Sequence, residues 1–210
     1  ANIFCCLKKF TKLIVTIHQP EHFPYMGFFQ KMQAADLFVI LDNVNFRKNY
    51  FQNRNKFPNK QGRDEWFTVP VNKNSSSLLI KDVIAAPDNG WRKKLLKQMK
   101  FNFKTDLSDV YESEKLIDIN MKSIKFCCEQ MGIDIPMVFA SDIVNDLSSS
   151  ELLVSLCENL NATTYISGPS GRDYLDVELF TEKSIQVEFF EPQVKNYYSS
   201  LYNITKEKNK

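Results

Sequence analysis

The sequence predicts an α/β fold: a mainly parallel sheet flanked by helices, in a Rossmann-like or nucleotidylyltransferase-like three-layer architecture. Two observations carry this prediction. Short runs such as "LIVTI" (13–17) and "LFVIL" (37–41) are apolar on both faces, as strands buried inside a parallel sheet are. Segments whose apolar residues recur at helical spacing alternate with these runs, which is typical of βαβ units.

The predicted elements follow one another along the chain. "GFFQKMQAAD" (27–36) is a helix between the strands 13–17 and 37–41, so the three complete one βαβ unit. The polar stretch 42–62 is too rich in asparagine for a core element and is predicted to be a long functional loop. The later predicted strands are "EWFTVPV", "LLIKDVIAA", "PMVFAS", "TTYIS" and "IQVEFFEP", and the later predicted helices are "WRKKLLKQMKFNF", 114–131 and "SSSELLVSLCENLNA".

Length and composition limit the possible classes of protein. The 210 residues suit a single domain with its core at about 13–192, and the Lys-rich end, about 203–210, is expected to fray. With 27 basic and 25 acidic side chains the formal charge is +2, so composition gives no case for nucleic acid as the main partner. No run approaches the roughly 20 apolar residues that span a bilayer, so membrane insertion is not expected.

The N-terminus and the cysteines together predict a cytoplasmic location. Lysines interrupt the apolar N-terminal segment, so it is not expected to be a signal peptide. The five cysteines show no C-x-x-C spacing, which fits reduced thiols. Cys127, Cys128 and Cys157 lie in helical patterns and are predicted to be small buried apolar residues.

The segment "IHQPEHFPYMGFF" (17–29) contains both histidines of the chain. His18 and Gln19 follow the first predicted strand, and open parallel sheets bind ligands beyond the carboxyl ends of their strands. His18 is therefore a candidate to neutralise a phosphate or to act as acid or base, with a role in holding the loop as the alternative. For His22 the loop-holding role is favoured, because two prolines prevent the helix that would let both histidines share a metal ion.

A second group of candidates begins where the second predicted strand ends. Asp42 could hold a sugar hydroxyl, an amine or a metal ion, with a turn or helix cap as the alternative. The loop that follows offers ammonium, amide and guanidinium donors suited to phosphate or carboxylate, unless it is merely solvated. These donors are Lys48, Asn53, Arg54 and Asn55.

The segment "ISGPSGRDYLD" (166–176) supplies the third group. Small residues after a strand let backbone N–H groups approach an anion closely, although an ordinary turn uses the same residues. The candidates are Ser167, Gly168, Ser170, Gly171, Arg172 and Asp173. No serine lies in a G-x-S-x-G motif, and two histidines cannot fill a His-rich metal centre, so neither a serine triad nor a metal site is predicted.

Four ordered motifs resemble those of the WbqC-like family over about 14–192: "IHQPEHFPYMGFF", "FVILDNVNFRKNYFQNRNK", "FTVPV" and "YISGPSGRDYL". That family is met mostly in bacterial surface-polysaccharide and O-antigen gene clusters. The resemblance implies a transferase or ligase that modifies a nucleotide-activated sugar, for instance by placing an amino-acid or acyl group on a sugar amine. In this hypothesis His18 and Asp42 are catalytic, and Arg54 with Arg172 clamps phosphate or carboxylate.

The chain departs from the family's pattern at Glu21, His22 and Asn45, and its C-terminal end does not match. Two other hypotheses remain open. The first is a non-catalytic module that binds a sugar nucleotide or a partner protein. The second is nucleotidylyltransferase-like activation with ATP and Mg²⁺, based on the order of strand, His/Pro loop, glycine and helix. The sequence itself requires no cofactor and leaves the oligomeric state open.

Overall fold

The structure, a computed structural model, describes residues 12–208. The strands are β1 (Ile14–His18), β2 (Leu37–Ile40), β3 (Arg54–Pro58), β4 (Asp64–Thr68), β5 (Met137–Phe139), β6 (Thr164–Ser167) and β7 (Gln186–Phe189). The α-helices are α1 (Met26–Gln33), α2 (Trp91–Phe103), α3 (Leu116–Met131), α4 (Ser149–Asn159), α5 (Val177–Glu182) and α6 (Ser200–Lys208).

Five of the strands form one parallel sheet in the order β5-β2-β1-β6-β7. The chain builds outward from β1 through β2 to β5, and then adds β6 and β7 on the other side of β1. Every residue of β2 and of β6 is buried, which explains why these runs are apolar or small on both faces. The predicted α/β class with a parallel sheet flanked by helices is confirmed.

The described chain falls into two compact units, each assembled from separate segments. We call the unit that contains the parallel sheet the sheet unit, and the other the hairpin unit. The predictions of one domain and of a frayed C-terminal end are not tested and stay predictions; the described part of that end lies in α6. Among the described residues, the sheet unit comprises 12–19, Gln30–Leu41 and Ile135–Gln193, and the hairpin unit comprises Pro20–Phe29, Asp42–Asp134 and 194–208.

The hairpin unit contains an element that the sequence analysis missed. Strand β3 lies inside the stretch predicted to be a polar loop, and it pairs antiparallel with β4. Phe57 of β3 and Phe67 of β4 are buried, and the ring of Phe57 packs edge-on against Phe103 of α2 with centroids 4.8 Å apart. Asn55 also faces inward, so a polar residue occupies a core position and hides the alternation of the strand.

The strand predicted from "LLIKDVIAA" is wrong. This segment forms a short 3₁₀ turn, Ile80–Asp82, and isolated bridges. Its backbone pairs with several separate stretches of chain: the N–H of Ile80 donates to the Val44 carbonyl, and the N–H of Ala85 donates to the Glu114 carbonyl. Because these partners do not belong to one neighbouring strand, the apolar residues are buried without forming a ladder.

The prediction for the three helical cysteines is confirmed. Cys127, Cys128 and Cys157 are thiols buried in α3 and α4. Burial raises the pKa of Cys127 and Cys157 to about 12 and that of Cys128 to about 11, so all three stay protonated at neutral pH. Cys5 and Cys6 lie outside the described residues.

Candidate functional site

The topology of the sheet defines one crevice. Strands β1 and β6 are neighbours, and the chain leaves them for opposite sides of the sheet, β1 toward β2 and β6 toward β7. This is a topological switch point, where open α/β sheets bind ligands beyond the carboxyl ends of the strands. His18 is the last residue of β1 and Ser167 the last residue of β6. The sheet thus brings the first and third predicted groups to the same edge.

His18 is a half-buried imidazole at this edge. Its Nδ1 lies 3.0 Å from the Gln19 backbone oxygen. Because a carbonyl oxygen can only accept, Nδ1 carries the proton, and the neutral ring keeps its lone pair on Nε2. Desolvation first, and the neighbouring ammonium of Lys31 second, lower the pKa of His18 to about 3. At neutral pH the ring is therefore neutral, with a lone pair on Nε2, and it supplies no positive charge to a phosphate.

Lys31 is the site residue that the sequence analysis missed. It lies on α1, is only 4% exposed, and its Nζ donates to the Ile17 carbonyl at 3.2 Å. The available signal was its place beside Met32 and one turn after Phe28, because a lysine on the buried face of a helix has to satisfy its charge. This ammonium supplies the positive charge that the neutral His18 lacks.

The loop after β6 is packed closely against its own strand. It begins as a 3₁₀ turn, Pro169–Asp173, in which the N–H of Gly171 donates to the Gly168 carbonyl at 3.0 Å. A Cβ atom at Gly171 would lie 2.1 Å from the Oγ of Ser167, whereas one at Gly168 would meet nothing within 4 Å. Position 171 needs glycine because there is no room for a Cβ atom beside the buried Ser167. The backbone conformation is not the reason, since the φ of Gly171 is not positive.

The remaining candidates of this loop face solvent. Ser170, Arg172 and Asp173 are exposed. Arg172 pairs with the carboxylate of Glu191 at 2.5 Å, and its guanidinium lies over the Phe189 ring, 4.8 Å from the centroid. Arg172 is thus held beside the edge of the sheet by an acid and an aromatic ring, and its predicted role in an arginine clamp with Arg54 stays a prediction. An exposed pair of this kind contributes little stability, so Arg172 can change partners at low cost.

Two asparagines among the hairpin-unit candidates are committed to backbone groups. The Asn53 amide accepts from the Asn49 N–H at 3.1 Å and donates to the Val69 carbonyl at 3.0 Å. Asn55 donates to the Phe23 carbonyl at 2.8 Å, and its Oδ1 accepts from the Lys56 N–H at 2.8 Å. Both side chains are buried and hold the loop, and their predicted role as substrate ligands stays a prediction.

The other hairpin-unit candidates differ in exposure. Asp42 is buried, and its backbone carbonyl accepts from the Lys81 N–H at 3.0 Å. Lys48 is exposed. Arg54 is half-buried, with its guanidinium stacked over Trp66 at 4.2 Å from the ring centroid. Their predicted roles stay predictions.

His22 lies fully buried in the hairpin unit. Its backbone N–H donates to the Phe51 carbonyl at 2.8 Å, and its Nε2 lies 3.1 Å from the Tyr111 hydroxyl. The rings of Phe23 and Phe67 meet it edge-on, with centroids 5.0 and 5.6 Å away. Burial lowers the pKa of His22 to about 3. The ring thus joins three parts of the chain as a neutral core residue.

The described residues limit the kind of site. Among residues 12–208 no group of three or more His, Cys, Asp or Glu side chains is placed to hold a metal ion. Over the same residues no helix is both long and apolar enough to cross a membrane.

Comparison with known proteins agrees with the motifs. The WbqC-like protein family matches residues 19–204. The chain is also similar to Rv1507c, an uncharacterized protein of Mycobacterium tuberculosis: the two are 29% identical over 201 residues, which cover 90% of this chain and 86% of that protein. No solved structure matches the chain. The match extends across segments of both units, and the resemblance read from the four motifs is confirmed.

Proposed function

The chain belongs to the WbqC-like protein family, and we propose that it is a transferase or ligase that modifies a nucleotide-activated sugar in bacterial surface-polysaccharide biosynthesis. One observation carries the proposal. A neutral imidazole and a buried ammonium, His18 and Lys31, lie together at the switch point of a parallel sheet. This pairs a proton acceptor with a positive charge where such sheets bind ligands.

The pair suits transfer of an acyl or amino-acyl group to a sugar amine. The amine nitrogen attacks the carbonyl carbon of the donor and forms a new C–N bond. Its surplus proton passes to Nε2 of His18, and the bond to the donor's leaving group breaks with the electron pair on that group. The Lys31 ammonium stabilises the negative charge that develops during the attack.

A negatively charged substrate would change the pKa of His18. In the free protein the Lys31 ammonium opposes protonation of His18. A bound phosphate or carboxylate brings a negative charge to the same edge, which favours the protonated ring and raises the pKa of His18 toward neutrality. His18 thereby becomes a stronger base once an anionic substrate is in place.

Arg172 is the second residue that supports an anionic substrate. Its partner Glu191 and its position over Phe189 keep the guanidinium near the carboxyl ends of β6 and β7. A diphosphate accepts two parallel hydrogen bonds from a guanidinium, as a carboxylate does, so we expect it to replace Glu191 when it binds.

The first experiment is a thermal-shift panel of UDP-, dTDP-, GDP- and CMP-sugars, ATP with magnesium and acyl-CoA donors. It is followed by mass spectrometry of the products formed with each ligand that stabilises the protein. Binding to the folded state raises Tm. We expect a nucleotide sugar to raise Tm of the wild type and of His18→Ala, while His18→Ala lowers turnover by about 10²- to 10⁴-fold. Gln33→Ala, a substitution at an exposed position of α1, is the matched control and should leave the ligand-induced rise in Tm and the turnover unchanged.

Three outcomes would contradict the proposal. Binding of a nucleotide sugar without any product would indicate the non-catalytic binding module. A shift with ATP and magnesium alone, accompanied by pyrophosphate release, would indicate the nucleotidylyltransferase reaction. Absence of a shift with every ligand would argue against a nucleotide site in this protein.

A further inference from the structure

The hairpin unit has a cleft of about 280 Å³ between β4 and α2, which we call the tryptophan cleft. It contains both tryptophans of the chain. None of its residues belongs to the candidate site at the edge of the sheet. Its main lining residues are Trp66, Thr68, Trp91, Lys94, Leu95 and Gln98.

The periodicities of a strand and a helix explain how the cleft forms. In β4 the side chain of Phe67 is buried, so Trp66 and Thr68 stand on the opposite, exposed face. In α2 the lining residues recur at three- and four-residue spacing and therefore share one side of the helix. Gln98 joins the two elements, because its Nε2 donates to the Trp66 carbonyl at 3.2 Å and to the Glu65 carboxylate at 2.8 Å.

Both indole rings are fixed before any ligand arrives. The Trp91 Nε1–H donates to the Ala86 carbonyl at 3.0 Å. The Arg54 guanidinium stacks over the Trp66 ring at 4.2 Å. Trp66 nevertheless remains 40% exposed, so part of its indole ring is accessible to a ligand. A rigid, exposed aromatic ring binds a ligand with little further loss of conformational entropy.

The positive side chains around the cleft favour a negatively charged ligand. Lys94 is exposed and is the charged side chain that lines the cleft, and the Arg54 cation lies against Trp66. Glu65, the acid that contacts the lining, already accepts the Gln98 amide. The cleft therefore offers aromatic faces, the Thr68 hydroxyl and a lysine ammonium, which is the pattern of a small-molecule site with few polar anchors.

We propose that the tryptophan cleft binds a sugar that carries a carboxylate or phosphate group. The C–H face of a pyranose ring stacks on an indole, the ring hydroxyls bond to Thr68 and Gln98, and the acid group pairs with Lys94. The volume is close to the roughly 300 Å³ at which drug-sized pockets begin, which suits one or two sugar rings. This binding does not depend on the proposed transfer reaction.

The test is a tryptophan-fluorescence titration, because every tryptophan signal of the chain comes from this cleft. The probes are trigalacturonate, which is an anionic sugar, maltotriose, which is a neutral sugar, and citrate, which is an anion without a sugar ring. We expect a saturable change with trigalacturonate and at least tenfold weaker binding of maltotriose and citrate.

Two lysine variants give a matched comparison. Lys94→Met should weaken the binding of trigalacturonate at least tenfold, whereas Lys93→Met, a change at an exposed neighbour outside the lining, should leave the affinity unchanged. His18→Ala should also bind trigalacturonate like the wild type, so failure of the proposed transfer reaction can be told apart from failure of this site. The proposal would be overturned by no saturable change with trigalacturonate, by citrate binding equally well, or by equal losses in both lysine variants.

Discussion

The two histidines of this chain lie in opposite kinds of surroundings, although burial lowers the pKa of both to about 3. His18 ends a central strand, is half-buried, and has the Lys31 ammonium beside it. His22 is completely buried among the rings of Phe23, Phe67 and Tyr111.

The difference shows that a shifted pKa does not by itself mark a functional residue. The ring of His22 is neutral because its surroundings are apolar, and its contacts join parts of one unit. The ring of His18 is neutral partly because the Lys31 ammonium is close. It lies at the carboxyl end of a central strand, where open parallel sheets bind ligands. The groups around each ring indicate its role, and substitutions of both histidines test this.

The largest expected effect on stability comes from His22→Ala. Removing this ring leaves a cavity among aromatic side chains and abolishes the contact with Tyr111, so we expect a loss of about 3 kcal/mol in the free energy of unfolding. His18→Ala removes a half-buried ring and should cost less than about 1 kcal/mol. Urea unfolding of both variants measures the two losses, and equal losses would contradict the assignment.

The pH dependence of stability is the next effect. Between about pH 6.5 and pH 3 the unfolded chain binds a proton at His22 that the folded chain does not bind. This contribution is therefore fully present above pH 6.5 and is lost as the pH falls toward 3. Between pH 6.5 and pH 5 the loss in the free energy of unfolding that is due to His22 is about 2 kcal/mol.

His22→Phe isolates this contribution, because phenylalanine keeps a ring but cannot titrate. Between pH 6.5 and pH 5 the free energy of unfolding should fall in both proteins, and the fall should be about 2 kcal/mol smaller in His22→Phe than in the wild type. Denaturant titrations at both pH values give the comparison. An identical pH dependence in the two proteins would mean that His22 titrates normally in the folded chain.

The smallest expected effect concerns the loop beside His18. Gly171→Ala would place a methyl group against the Oγ of Ser167, so we expect a loss of at least about 1 kcal/mol. Gly168→Ala meets nothing and has an ordinary φ of −74°, so it should change stability by less than about 0.5 kcal/mol. Thermal unfolding compares the two, and a neutral Gly171→Ala would show that the loop can move away from β6.

The parallel sheet was predictable because its strands carry their own signal. "LIVTI" and "LFVIL" are largely buried on both sides, and the one polar side chain among them, Thr16, donates to the Ile166 carbonyl of the neighbouring strand. The hairpin strand β3 was not predictable in the same way. Asn55 occupies one of its buried positions, and its amide is satisfied by carbonyls of Phe23 and His22, which are remote in sequence. Only the folded chain shows why that polar residue is tolerated there.

The site was predictable to a similar extent. The motifs placed His18 and Ser167 at strand ends, and the strand order then made them neighbours. Helical spacing places Lys31 on the buried face of α1, but its partner, the Ile17 carbonyl, is a tertiary contact that the sequence does not reveal. The occupied amides of Asn53 and Asn55 are likewise a property of tertiary contacts.

The most direct test of the account is long-range ¹H–¹⁵N NMR of the imidazole nitrogens, because the chain has only two histidines to assign. We predict that at pH 7 His18 is neutral with its proton on Nδ1, that it stays neutral to about pH 4, and that Lys31→Met raises its pKa. A His18 that titrates near pH 6.5, or that carries its proton on Nε2, would contradict the assignment of this residue as the base of the site.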